Sequence, residues 1–89
     1  METGKSIAIE NLKAVALAYC DAAGVPPKTL SWRVFNDGKK LDAILADKAD
    51  LMTAGHEKAM QWLSDNWPEG AVWPDDVVRP VVTHNMVAN

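Results

Sequence analysis

The chain is 89 residues long, 48% hydrophobic and 24% charged, with a formal net charge of −3. That length allows one domain, and the composition excludes a disordered or collagen-like chain. No apolar stretch approaches the roughly 20 residues that cross a bilayer, the opening Met1-Glu-Thr-Gly-Lys-Ser lacks a charged-then-apolar leader, and a lone Cys20 excludes an internal disulfide and a cysteine zinc site. The expectation is a cytoplasmic all-α protein with one core, small enough that a homodimer would add useful burial.

The first element runs from Ile7 to Ala23. Leu12, Val15, Ala16, Tyr19, Ala22 and Ala23 recur at three- and four-residue steps, the period of an amphipathic helix. Gly24 suits the left-handed position just past a helix end, and Pro26-Pro27 cannot extend the helix but can open the next one. The second helix is predicted over Lys28 to Phe35, with Leu30 and Val34 on one face and Lys28, Thr29 and Arg33 elsewhere. Asn36-Asp37-Gly38 then predicts a tight corner. Beyond it Leu41, Ile44 and Leu45 mark a third helix of about two turns, capped by Asp37, with Lys39, Lys40 and Asp42 outward. Residues 46–51 read as a polar connection. Thr53 or Asp50 is the expected N-cap of a fourth helix whose buried arc is Met52, Ala59, Met60, Leu63 and Trp67, ended by Pro68-Glu69-Gly70.

The last twenty residues lose this period. Trp67-Pro68, Trp73-Pro74 and Arg79-Pro80 predict an extended, turn-rich tail that wraps the helices, each tryptophan covering apolar surface with its indole N–H in water. Val77-Val78 and Val81-Val82 form at most an edge strand, because Pro80 interrupts them. The expected organisation is a four-helix body over 1–68 and a tail over 69–89.

Charge is distributed unevenly along this chain. Residues 1–25 carry Lys5 and Lys13 against Glu2, Glu10 and Asp21, a net −1. Residues 26–40 carry Lys28, Arg33, Lys39 and Lys40 against Asp37, a net +3. The remainder sets Lys48, Lys58 and Arg79 against eight carboxylates, a net −5. A basic block of this kind steers an anionic partner to one face of an acidic molecule.

Two short helices about a sharp corner predict a helix-turn-helix arrangement, in which one helix braces on the DNA backbone and the other enters the major groove. Lys28, Arg33, Lys39 and Lys40 are then candidate phosphate or base contacts, and Thr29, Ser31 and Asn36 candidate neutral donors. Lys39 and Lys40 fall in the first turn of the third helix, where free N–H groups and the helix dipole favour an anion. Asp42 and Asp47 oppose phosphate, although a carboxylate can accept from a cytosine amino group.

The run from Gly24 to Leu41, followed by Ala59-Met60-Gln61-Trp62-Leu63-Ser64-Asp65-Asn66-Trp67-Pro68, resembles a group of short bacterial and phage proteins similar to the lambda-repressor and Cro class of helix-turn-helix proteins. The resemblance covers about residues 8–68. It implies a DNA-binding regulator with Lys28 to Phe35 as the bracing helix and Gly38 to Ala46 as the reading helix. A second alignment, Ala23-Gly24-Val25 through Thr29-Leu30-Ser31 to Val34 and Asn36, is similar to the lac-repressor family. It implies that residues 14–24 brace and 27–36 read, with Trp32 as one inserted residue. Lys28, Thr29 and Arg33 lie near DNA in both.

Other features carry less chemistry. His56 and His84 have no ligand partner at metal spacing, and His56 is read as bordering the packed face of the fourth helix. Cys20 reads as a small apolar filler. Ser31 lacks a Gly-x-Ser-x-Gly turn and a paired histidine, and Gly4-Lys5-Ser6 lacks the strand and first glycine of a phosphate loop. Neither an enzyme nor a cofactor is expected. Trp62, Trp67 and Trp73 stand among acids and read as packing residues, whereas Lys28 and Arg33 flank Trp32. The competing reading is a protein-interaction module built on the helical body and the Trp-Pro tail.

Overall fold

The computed structural model describes residues 7–83. It contains α1 (Ile7–Ala23), α2 (Pro27–Phe35), α3 (Lys40–Leu45) and α4 (Thr53–Asp65), followed by an irregular tail. No strand occurs among the described residues, so the fold is all-α as expected. None of these helices is long and apolar enough to cross a membrane.

α1 buries Ile9, Leu12, Val15, Ala16, Tyr19 and Cys20, one stripe at helical spacing. Ala22 and Ala23 continue the period but are exposed at the helix end. Gly24 stops the helix at φ 70°, and the N–H groups of Gly24 and Val25 both donate to the Cys20 carbonyl. α2 starts behind Pro26, with Pro27 in its first turn. It buries Leu30 and Ser31. α3 buries Leu41 and Ile44. Lys13 on α1 pairs with Asp47 beyond α3 and, at 3.2 Å, with Glu10, which ties the turn after α3 to the long helix.

α4 buries Ala59, Met60, Leu63 and Ser64. Met52, expected in that arc, is 84% exposed, because it is the extended residue that precedes the first helical turn. No side chain caps this helix, so neither Thr53 nor Asp50 fills the expected role. The helix stops at Asp65, ahead of Trp67, because Pro68 disfavours helical geometry in the residue before it. Asn66 closes the end, its backbone N–H and its side-chain amide both donating to the Trp62 carbonyl. His56 borders the packed face as expected, its Nε2 lying 2.9 Å from the Ala8 carbonyl of α1.

The tail lies along α4. Its backbone finds side chains of that helix in place of a partner strand, so the valine pairs form no edge strand. Gln61 donates to Val81 O at 2.8 Å, Ser64 donates to Pro80 O, and Asp65 accepts from the N–H and hydroxyl of Thr83. Val77 reaches the helical core with 6% exposure. Trp67 and Trp73 pack with centroids 4.8 Å apart, and Trp67 meets Tyr19 edge-on. Their indole N–H groups are not left in water: Trp67 donates to Ala71 O and Trp73 to Val77 O. Tail and helices therefore share one core. Burial pushes the Cys20 thiol above its ordinary range, in keeping with a packed filler. His84 and Gly4-Lys5-Ser6 lie outside the described residues.

Candidate nucleic-acid interface

The corner between α2 and α3 is built by local hydrogen bonds. Asn36 takes the left-handed conformation at φ 57° and donates its N–H to Trp32 O, ending α2. The Asp37 carboxylate accepts the Lys39 N–H at 2.8 Å, the Asx geometry that a short acidic side chain favours at a turn. Ser31 closes the corner from inside. Its hydroxyl donates to the Asp37 carbonyl and accepts the Leu41 N–H at 2.9 Å, joining the two helices across four intervening residues.

An open groove of about 700 Å³ follows, lined by Lys28 and Trp32 of α2, by Asn36 at its end, by Asp37, Gly38 and Lys39 of the corner, and by Asp42 of α3. Trp32 is 53% exposed in this groove. Its indole rests on Gly38: a Cβ there would lie 2.5 Å from Nε1 and 3.1 Å from Cε2. Only glycine leaves room for the ring in that seat.

Of the seven residues expected to contact DNA, this groove gathers Lys28, Asn36 and Lys39. Ser31 is a correction: with 0% exposure and its hydroxyl engaged twice, it braces the corner and offers nothing to phosphate. Arg33 is exposed, and its Nη1 donates to the Tyr19 hydroxyl of α1 at 3.0 Å. Thr29 and Lys40 are half-buried and do not line the groove. The four cations thus do not make one ridge, and Asp37 and Asp42 line the groove together with Lys28 and Lys39.

The expected anion site at the start of α3 also needs correction. The helix has six residues, and its first two N–H groups are already directed inward, Lys40 N–H to the Asp37 carbonyl at 3.5 Å and Leu41 N–H to Ser31 Oγ at 2.9 Å. Trp32 is the residue whose place sequence reasoning left open. The signal for it was the four-residue spacing of Lys28 and Trp32, which puts both on one helix stripe, with the corner residue Asn36 four further on.

A second groove, of about 590 Å³, is lined by Ile7 and Ala8 of α1, Met60 of α4 and Val77, Val78 and Pro80 of the tail, with His56, Glu57 and Asp76 among its polar groups. It shares no residue with the first. No protein-family model, curated protein or solved structure matches this chain.

Proposed function

We propose that the protein binds double-stranded DNA as a cytoplasmic helix-turn-helix regulator of bacterial or phage type, without catalytic activity, and that it acts as a homodimer. The observation that carries this reading is the composition of α2. It is the one described helix with cations, Lys28 and Arg33, and no carboxylate, and both are exposed. α1 carries Glu10 and Asp21, α3 Asp42, and α4 Glu57 and Asp65.

The same observation favours α2 as the reading helix, behind the Gly24-Val25-Pro26 turn, over α3. α3 is short, buries Leu41 and Ile44, and exposes Asp42 toward the solvent a phosphate would occupy. In this register the C-terminal half of α1 is the brace, and Lys39 reaches the backbone from the corner.

Fluorescence anisotropy against mixed duplexes at stepped salt tests the proposal. Three to four neutralised phosphates give a slope of log affinity on log salt of about −2.7 to −3.6. A flat response overturns it. The apolar groove favours the second reading, a protein-interaction module on the helical body and tail. In that reading polyanions leave the protein unbound.

A further inference from the structure

We propose that Trp32 and Asn36 select a thymine–adenine pair in the major groove, Trp32 by apolar contact with the thymine methyl and Asn36 by hydrogen bonds to the adenine edge. The inference rests on α2 being the DNA-facing helix and adds the base that this helix selects.

Lys28 and Trp32 stand four residues apart on α2, where such neighbours have Cβ atoms about 5–6 Å apart. Asn36, the left-handed residue that closes the helix, lines the same groove as both, so the two side chains of the proposed reader face one space. Trp62, Trp67 and Trp73 are half-buried and packed against the core, whereas Trp32 keeps more than half of its surface in water. Its ring is not loose: the Nε1, Cε2 and Cδ1 side rests on Gly38, so the exposed part is held in place. The C5-methyl of thymine is the apolar group that a base presents in the major groove, and it suits such a surface.

Asn36 completes the pair. Its backbone is engaged at the end of α2, but among the described residues its side-chain amide has no hydrogen-bond partner. An asparagine amide matches the N6 donor and N7 acceptor of adenine. Lys28 and Lys39 line the same groove and supply cations for the flanking phosphates, against the carboxylates of Asp37 and Asp42 on that lining.

The test uses the full chain and three duplexes of equal length and charge, alternating A·T, alternating A·U and alternating G·C, with single-stranded oligo-dT as a fourth probe. Wild type is expected to bind A·T about fourfold tighter than A·U, the worth of one buried methyl, and A·U about tenfold tighter than G·C. Trp32→Ala should bind A·T and A·U alike. Asn36→Gly, which tolerates the left-handed backbone, should keep the methyl preference and narrow the gap to G·C.

Equal wild-type affinity for A·T and A·U with a steep salt slope overturns this inference and leaves DNA binding by α2 standing. Binding to none of the duplexes overturns both. Tighter binding to oligo-dT, or a methyl preference that survives Trp32→Ala, also overturns it. The wild-type comparison needs no variant, so a folding defect in either variant does not spare the proposal.

Discussion

Replacing Ser31 with alanine removes a hydroxyl that gives its proton to the Asp37 carbonyl and takes the Leu41 N–H. The Leu41 N–H would stay inside the protein without its partner, while the Asp37 carbonyl would keep only the Lys40 N–H, at 3.5 Å. The expected cost is about 1–3 kcal/mol, the desolvation penalty of buried polar groups left unpaired. Urea denaturation reads it directly, and wild-type stability would mean that the corner holds without the hydroxyl. The inward position of Ser31 was legible: residues 27, 30, 31 and 34 share a helix face, and Leu30 and Val34 mark that face as apolar. A short polar side chain on it has the backbone of the next element as its natural partner. Asn36 is a different case, since its left-handed backbone follows from the corner but the freedom of its amide required coordinates.

Among the elements, α1, α2 and α3 were the most legible because local chemistry stops each of them. Gly24 ends α1, Pro26-Pro27 opens α2, and Asn36 with Asp37 turns the chain into α3. α4 was misread at both ends for one reason. Met52 and Trp67 extend an apolar period, but the first lies ahead of the helix and the second is held out of it by Pro68. The facing of α3 is tested by Leu41→Ala. Leu41 is buried in the core shared with α1, α2 and α4, so truncation should cost about 2–5 kcal/mol. A thermal midpoint like that of wild type would mean the helix packs on another face.

Lys13 gives the connection between α1 and the turn after α3 a pH signature. The hydrogen bond to Asp47, aided by Glu10, holds its ammonium above the ordinary lysine value. A raised folded-state value stabilises the fold fully below the unfolded lysine pKa of about 10.4, and the contribution is lost as pH rises through the folded value. The stability difference between wild type and Lys13→Gln should therefore be constant from neutrality to about pH 10 and shrink above it. Chemical denaturation of both proteins across that range measures this, and a difference independent of pH would remove the ion pair as its source.

At the scale of the molecule, the tail completes the core that the four helices begin. Arg79 fastens it, with Nη2 donating to Ser64 O at 2.8 Å, Nε donating to Ser64 Oγ at 3.1 Å, and the guanidinium 5.4 Å from the Trp73 ring centroid. Arg79→Ala should cost about 1–2 kcal/mol and speed hydrogen exchange in residues 73–83 more than in α1. Uniform exchange across both would show that the tail needs no such anchor. That the tail wraps the helices was legible from its tryptophans and prolines. Its attachment to Ser64 and Asp65 was not, because a segment without a period gives no register.

Three of the four helices are followed by a residue with positive φ: Gly24 after α1, Asn36 after α2 and Asp47 after α3. Reversals set by single residues need no distant partner to form, and they bring together α1 with α2 and α2 with α3, while α1 still has to find α4. Single-residue reversals narrow the search among alternative arrangements, and folding in about the microsecond-to-millisecond range is expected for a small helical protein. Valine at position 24 or 36 would resist that reversal and slow the entire process, a kinetic cost paid before any contact with a partner is made.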